Sequence, residues 1–452
     1  MAPSDLFINL GLSQKRKLTD LSYLLMFATL LVILTIFAII YTACSSDLND
    51  GVANEYVLEE LNDNFGFLAI VCCIGLGLSV IALFCFRYFV NIFIWTMLIV
   101  TVLLTCALAG FVWYISAQPV SHNQISFKIA AIILTAFSLI TATCILVWNE
   151  QIKLLIKFYE EAIKIVFAMP QIFLVSLLTS ISVLVIAVLC RYMIVLLDNS
   201  GGPLSGFFLN TKTYDGVNVG MIMEVFVVLV FLWMVDFVLV CQQMVISGAV
   251  ATYYFTRDKT ALVSPIYTSF YNLMRYHLGS AVYGSIIFLV TAQNNYFVHV
   301  CCCSRLKNSL QYPTPKGLIV TAICGTPLCQ SSVRGATLVD SNFLSAVAKS
   351  SAGTFVFSTM QLLVFNITAI IGFFMIHSVQ SVLIGAVFAL VCAHCIFVVF
   401  QIAVDTLFIC YCEDYCLNNG INEPFYATAE LRQKVKEVQD FTKSIEGKGC
   451  VC

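Results

Sequence analysis

A chain of 452 residues with 60% hydrophobic and only 11% charged residues is not a water-soluble domain, in which about a quarter of the residues are charged. One soluble core cannot bury so much apolar surface, so the composition predicts a polytopic membrane protein. The formal net charge of −2 offers no basic surface, and nucleic acid is therefore not an expected partner.

Apolar stretches near the roughly 20 residues that a membrane helix needs recur along the chain. Each is predicted to be helical, because lipid requires every backbone polar group to be satisfied within the protein. A weaker stretch at Gly317–Gly335 is interrupted by Gly325 and Pro327. The clear stretches, in chain order, are Ser22–Cys44, Gly66–Phe86, Tyr88–Ile115, Lys128–Trp148, Gln171–Cys190, Gly220–Phe255, Tyr276–Thr291, Gly353–His377 and Ser381–Cys410.

Lysine and arginine indicate which ends face the cytosol, because these residues are enriched on that side of membranes. The group Lys15, Arg16 and Lys17 places the N-terminus inside, whereas the segment after the first helix has acidic residues and no basic ones. The tail after Cys410 carries further lysines and an arginine and is also expected inside. Two cytosolic ends require an even number of crossings.

The predicted fold is therefore an all-α polytopic membrane protein, a bundle of about ten transmembrane helices with both termini cytosolic. This count requires Gly317–Gly335 to cross together with Tyr276–Thr291. In the alternative, neither segment crosses and both are re-entrant or interfacial. As domains, we expect a cytosolic segment at 1–21, a transmembrane helical domain at 22–410 and a cytosolic tail at 411–452.

Residues Asn149–Ala168 form a charged stretch between predicted membrane helices. Lysines and glutamates recur on one side at helical spacing, and isoleucine, leucine and tyrosine fall on the other. This pattern is typical of an amphipathic helix on a membrane surface, with its lysines directed toward anionic headgroups. Membrane lipids are therefore an expected partner, and the helix is interpreted as either a structural connector or a lipid sensor.

The sequence has no enzyme signature and no metal-ligand pattern. Its five histidines form no cluster, and most of its 20 cysteines fall within predicted helices or the cytosolic tail, where disulfides are disfavoured. We expect neither enzymatic activity nor a cofactor. The histidines in membrane segments are interpreted as packing residues; they are His277, His377 and His394.

The stretch Gly220–Phe255 holds polar residues in the middle of lipid-like sequence. An ionised carboxylate at mid-membrane costs about 2.5–3.5 kcal/mol on insertion scales, so it needs a polar cavity or a partner. At 3.6 residues per turn, one stripe of the predicted helix contains Trp233, Asp236, Gln243 and Tyr254.

Two interpretations of Asp236 are open. A carboxylate beside aromatic faces is suited to a small organic cation such as a quaternary ammonium. Alternatively, Asp236 forms a packing pair within the bundle, for which Arg191 and Arg275 are the candidate partners.

Several motifs resemble those of the choline transporter-like family of solute carriers. The most specific are CQQMVISGAVATYYFTRDK and, after it, RYHLGS at Arg275–Ser280. Weaker support comes from AICGTPLCQSSVRGA at Ala322–Ala336, VDTLFICYCED at Val404–Asp414 and NEPFY at Asn422–Tyr426. The resemblance covers most of the chain after Gly66.

The resemblance implies a transporter of choline, with ethanolamine as a second substrate, that supplies phospholipid synthesis. It also implies about ten helices with both ends cytosolic, in agreement with the charge argument. The plasma membrane is the expected location, with mitochondrial or other organelle membranes as alternatives. Ser45–Phe65 is much shorter than the extracellular loop of known members, and Asp236 stands where relatives tend to have glutamate.

We expect an alternating-access carrier in which an aromatic cavity holds a small organic cation near mid-membrane, with Asp236 as its charge-balancing group. The alternative is a cation channel or a non-transporting membrane scaffold, and saturable uptake of labelled choline distinguishes a carrier from both. The other expected substrate-binding residues are Trp95, Trp113, Trp233, Gln243 and Tyr254.

Overall fold

The structure is a computed structural model, and it describes residues 16–44, 65–117, 124–199, 219–293, 315–340, 352–375, 379–418, 425–433 and 435–437. All regular structure in these ranges is helical, as predicted, and no strand occurs in them. The helices, in chain order, are α1 (Leu21–Cys44), α2 (Phe65–Ala117), α3 (Gln124–Val147), α4 (Asn149–Ala168), α5 (Ile172–Asn199), α6 (Val219–Phe255), α7 (Pro265–Asn272), α8 (Leu278–Gln293), α9 (Pro315–Cys324), α10 (Leu328–Asp340), α11 (Ala352–Met375) and α12 (Val379–Leu417).

The helices divide into two compact units. The first unit is built from the described parts of Met1–Leu58, Met169–Asn342 and Asp405–Tyr426. The second is built from the described parts of Glu59–Ala168, Phe343–Val404 and Ala427–Cys452. The first unit holds α1 and α5 to α10, and the second holds α2, α3, α4 and α11.

Six of the described helices are long and apolar enough to cross a membrane, namely α2, α3, α5, α6, α11 and α12. Helix α1 contributes a shorter apolar core at Leu21–Ile36. These helices confirm most of the predicted stretches and a polytopic membrane protein. Helix α12 continues past the expected end at Cys410 to Leu417, so the expected start of the tail at residue 411 lies inside a helix.

The two stretches predicted at Gly66–Phe86 and Tyr88–Ile115 are joined in one helix, α2, without a connecting loop. Within α2, two helices meet at a kink, so the two predicted helices are confirmed. Only Phe89 departs from helical geometry, with φ −133° and ψ 39°, and it kinks the helix. The guanidinium of Arg87, beside this kink, lies over the ring of Phe167 at 4.3 Å, which accommodates its charge.

The predicted amphipathic helix is confirmed as α4. Its apolar side, however, packs inside the second unit against α2 and α11. The ring of Tyr159 lies 5.9 Å from that of Phe86 and 5.2 Å from that of Phe357, and all three side chains are buried. On the polar side, Lys157 pairs with Glu160 at 2.7 Å. The apolar residues that suggested a face for lipid therefore belong to a protein core.

Helix α7, a π-helical turn at Leu273–His277 and α8 follow one another without interruption, with lengths of 8, 5 and 16 residues. Together they reach on the order of 40 Å, enough to cross a membrane. Both α7 and α8 pack along α6. The predicted stretch Tyr276–Thr291 is thus part of a longer helix, which hydropathy missed because α7 and the π turn are more polar.

The weak stretch Gly317–Gly335 is broken where the sequence predicts, at Gly325 and Pro327. It forms two antiparallel helices, α9 and α10, packed at Gly317 against Ser332. At 10 and 13 residues, each is too short to cross alone. The segment is therefore not one continuous helix, and its crossing of the membrane, like the re-entrant alternative, stays a prediction. The total number of crossings stays a prediction.

Candidate functional site

Helix α6 carries four of the expected substrate-binding residues and packs against α5, α7, α8 and α9 within the first unit. Its continuity places the predicted stripe on one helix. The stripe is long, however, since the path from Trp233 to Tyr254 covers on the order of 30 Å along the axis. Those two residues therefore cannot contact the same small cation.

Trp233 is packed into the interior of the first unit. Its indole Nε1 donates a hydrogen bond to Ser285 Oγ of α8 at 2.9 Å, and its ring meets the edge of Phe27 of α1 with centroids 5.0 Å apart. Only 8% of the residue is exposed. Trp233 thus joins α6 to α1 and α8 through these two contacts.

Asp236 lies one turn after Trp233, on a partly exposed side of α6. The side chain is partly buried, and the apolar residues one turn before and one turn after it, Leu232 and Leu239, are 43% and 37% exposed. A carboxylate surrounded by exposed leucines is costly to place against lipid. The arrangement therefore favours a polar cavity or a positively charged molecule beside this face.

The alternative pairing of Asp236 with an arginine is not found among the described residues. Arg275 donates to the hydroxyl of Tyr271 at 2.7 Å and lies near the rings of Tyr271 and Tyr276. Arg191 is exposed on α5. The ion pairs of the described residues join other side chains, so Asp236 is a carboxylate without a described cationic partner.

Two glutamines follow Asp236 on the same helix. Gln243 is partly buried and lies two turns further on, on the order of 10 Å along the axis. Gln242 is buried, and its side-chain nitrogen has no hydrogen-bond partner in the described part of the chain. Gln243 is thus on the same face as Asp236, whereas Gln242 brings an unsatisfied donor into the interior.

Tyr254 belongs to a separate cluster at the end of α6. Its hydroxyl donates to Asp414 Oδ2 of α12 at 3.0 Å, and the same carboxylate accepts from Asn418 Nδ2 at 2.6 Å and from the backbone N–H of Tyr426 at 2.9 Å. The ring of Tyr426 also lies under Arg257 at 4.6 Å. This cluster, which we call the Asp414 cluster, brings together three of the motifs quoted above.

Trp95 and Trp113 both lie on α2, in the second unit. Trp95 is partly buried. Trp113 is 43% exposed, and its Nε1 donates to Thr135 Oγ1 of α3 at 3.4 Å. Their role as cage residues stays a prediction.

A site that the sequence did not predict surrounds the π turn. The carbonyl oxygen of Tyr276 accepts from the backbone N–H of Thr19 at 2.9 Å. Thr19 Oγ1 lies 3.0 Å from His277 Nδ1 and 2.7 Å from Ser280 Oγ, and Ser280 donates to Asp20 Oδ2 at 2.5 Å. The segment Arg16–Asp20, interpreted above only as a mark of orientation, is therefore fixed to the π turn.

The same segment also holds the broken hairpin. Arg16 donates to the carbonyl oxygens of Ala322 and Ile323, at 3.1 and 3.5 Å, where α9 ends. Asp20 accepts from the backbone N–H of Leu328 at 3.2 Å, where α10 begins. A cation at a helix C-terminus and an anion at an N-terminus both complement the helix dipole. Burial lowers the pKa of the Arg16 guanidinium, which still remains charged.

Glycine is required where the segment meets α8. A Cβ on Gly279 would overlap the carbonyl oxygens of Thr19 and Asp20. The sequence signals for this site were the glycine of RYHLGS and the Gly325–Pro327 break, but neither identifies the partner segment.

Among the described residues, no group of histidine, cysteine, aspartate or glutamate side chains is arranged to hold a metal ion. The chemistry available on α6 is therefore that of a carboxylate, an amide and aromatic rings.

Comparison with known proteins gives consistent matches. The model of a family described as plasma-membrane choline transporter matches residues 132–415. Choline transporter-like protein 1 of Xenopus laevis is 26% identical over 415 residues, which cover 81% of this chain and 63% of that protein. The protein of the same name from Torpedo marmorata is 25% identical, with 84% and 65% covered.

A third relative, from another organism, gives a similar match. Choline transporter-like protein 2 of Dictyostelium discoideum is 23% identical over 460 residues, covering 91% of this chain and 71% of that protein. The chain spans less than two thirds of the length of the Xenopus and Torpedo relatives.

Proposed function

Because this chain belongs to the choline transporter-like family, we propose that it transports choline or choline-like organic cations, ethanolamine among them, across the plasma membrane. The family is one of transporters, which agrees with the expectation of a non-enzymatic protein. The substrate, its use in phospholipid synthesis and the mechanism are proposals, since the chain covers only part of its relatives' length.

The proposal rests mainly on the surroundings of Asp236. It lies within the apolar span Val225–Phe255, on a partly exposed side of α6 and without a described cationic partner. An organic cation supplies the missing positive charge, and a carboxylate needs no hydrogen-bond donor from a quaternary ammonium to attract it. Gln243, on the same face, is the second group that we assign to the substrate path.

The aromatic residues are assigned less directly. Trp233 is close to Asp236 along α6, but Phe27 and Ser285 occupy its surroundings. We therefore propose that Trp233 shapes the wall of the site by fixing α6 against α1 and α8. Tyr254 belongs to the Asp414 cluster and is proposed to act at the end of the path, and Trp95 and Trp113 remain proposed cage residues of α2.

We further propose that transport proceeds by alternating access, in a bundle of about ten helices with both termini cytosolic. Broken helices such as α9 and α10 are a recurrent feature of carriers that work in this way. The proposed orientation is testable independently of transport.

An epitope tag inserted in residues 48–64, which lie outside the described residues, is expected to bind antibody on intact cells. Tags at either terminus are expected to bind only after permeabilisation, because the basic N-terminal segment favours the cytosol. A terminal tag accessible on intact cells would contradict the proposed orientation.

Uptake of labelled choline into proteoliposomes tests the function itself. We expect uptake that saturates with concentration and is competed by unlabelled choline. Flux that rises linearly without saturation would instead indicate a channel, and absence of flux would indicate a scaffold. Empty liposomes prepared from the same lipids provide the baseline.

A further inference from the structure

A pocket lies between the N-terminal segment and the π turn, and Asp236 does not line it. Its volume is about 120 Å³. The polar residues that line it are Arg16, Thr252, Thr268, Ser269, Asn272 and His277. Thr268 is exposed and Ser269 and His277 are buried, so the pocket runs from the protein surface to the π turn.

We propose that this pocket binds a small oxyanion that carries an acidic proton, such as hydrogen phosphate or bicarbonate. Among the described residues, the lining contains one charged side chain, the cation Arg16, and no carboxylate. Such a lining disfavours the organic cation assigned to Asp236 and attracts an anion. The requirement for a proton on the anion follows from the hydrogen bonds of His277.

The hydrogen-bond chain behind His277 fixes which ring nitrogen carries the proton. Each hydroxyl has a single proton, and an ionised carboxylate only accepts. Ser280 gives its proton to Asp20 at 2.5 Å, so it accepts from Thr19 at 2.7 Å. Thr19 then has no proton left for His277, and the 3.0 Å contact must be a donation from His277 Nδ1–H to Thr19 Oγ1.

This assignment leaves the contact between Thr19 Oγ1 and the Tyr276 carbonyl, at 3.1 Å, without a proton. The loss is small, because that carbonyl already accepts from the Thr19 N–H at 2.9 Å. Asp20 accepts at the same oxygen from the N–H of Leu328, which agrees with its ionised form. In the neutral imidazole, Nε2 therefore carries a lone pair and no proton.

That lone pair is buried and unused. Only 1% of His277 is exposed, and Nε2 has no hydrogen-bond partner among the described residues. His277 Nε2 lies 3.6 Å from the position that a Cβ on Gly325 would occupy, and Arg16 Cγ lies 3.5 Å from the same position. A buried acceptor without a donor costs about 1–3 kcal/mol, so the site calls for a donor.

Arg16 provides N–H donors for the charged oxygens of the anion. Its donations to Ala322 and Ile323 come from one terminal nitrogen, while a guanidinium has five N–H groups in all. An anion with an O–H group can donate to His277 Nε2 while its charged oxygens accept from Arg16 and the hydroxyls. Chloride, nitrate and sulfate offer no such proton near neutral pH.

Binding of labelled phosphate to the purified full-length protein in nanodiscs tests the site, near neutral pH and at constant ionic strength. We expect saturable binding that bicarbonate displaces and that sulfate, of similar size and shape, does not. Equal displacement by sulfate would overturn the proton requirement. Absence of saturable binding would mean that water alone fills the pocket and would overturn the proposal.

Two substitutions of one residue separate the ring nitrogens. His277→Asn keeps an amide near the Nδ1 position but removes the Nε2 acceptor, and we expect phosphate binding at least about tenfold weaker. His277→Gln can place an amide oxygen near the Nε2 position and is expected to bind more tightly than His277→Asn. The reverse order would contradict the assigned role of Nε2.

Two further variants test the site without a substitution in the π turn. Arg16→Gln removes the positive charge that the described lining supplies and is expected to weaken phosphate binding by about tenfold or more. His394→Asn changes a histidine of α12 that does not line the pocket, and its binding should match the unmodified protein. Unchanged binding by Arg16→Gln would count against the site.

Discussion

Replacing Asp236 by asparagine is expected to lower saturable choline uptake by about tenfold or more, while the protein still folds and inserts. Asparagine keeps the shape of the side chain but removes the charge that we assign to the substrate. Interactions with a charged group contribute about 1.5–3 kcal/mol, which corresponds to this loss. Initial uptake rates in proteoliposomes, normalised to the amount of reconstituted protein, provide the measurement.

The stability of the same variant separates the two interpretations of Asp236. Because no described arginine pairs with it, Asp236→Asn strands no charge, and its thermal unfolding in detergent should match that of the unmodified protein. A hidden ion pair would instead cost about 3–5 kcal/mol when broken. Asp236→Glu keeps the charge and is expected to retain uptake; normal uptake by a folded Asp236→Asn protein would refute the role.

Replacing Asp414 by alanine is expected to destabilise the protein by about 3 kcal/mol or more. The residue is 1% exposed, and removing its carboxylate leaves the donors of Tyr254, Asn418 and Tyr426 without their acceptor. Each buried donor left unsatisfied costs about 1–3 kcal/mol, although the costs are not additive. Unfolding midpoints of purified protein, together with protease sensitivity of the C-terminal segment, report the effect.

Tyr254→Phe is the matched control for the Asp414 cluster. It removes one donor and leaves the carboxylate in place, so we expect a loss of about 1 kcal/mol. Asp414→Asn should fall between the two variants, because an amide can still accept one of the hydrogen bonds. An Asp414→Ala protein no less stable than Tyr254→Phe would show that water replaces the carboxylate.

Much of the helical framework was predictable, because lipid imposes a simple rule on length and polarity. Helices α1, α6 and α11 begin and end within a few residues of the predicted stretches. The prediction missed part of a helix where the residues are polar. The polar residues of α7 hid the first half of a long helix.

The candidate site was predictable only in its local part. The period of the helix placed Asp236 and Gln243 on one face, and the structure keeps them there. Arg16 and Asp20, in contrast, meet partners about 300 residues away in the sequence. No local pattern encodes such contacts, and a charge rule that assigned Arg16 to the cytosolic side contained no information about the helix ends that it caps.

The π turn at Leu273–His277 fixes the number of residues that this helix must contain. One residue more than an α-helix would use rotates everything after it by about 100° relative to α7. Losing a single exposed residue there, such as Met274, would preserve hydropathy and helical content. It would nevertheless swing Ser280 away from Asp20 and Ser285 away from Trp233, disconnecting both contacts at once. For this helix, residue count is therefore a stricter constraint than side-chain character, and single-residue gaps between homologous chains are more informative here than most substitutions.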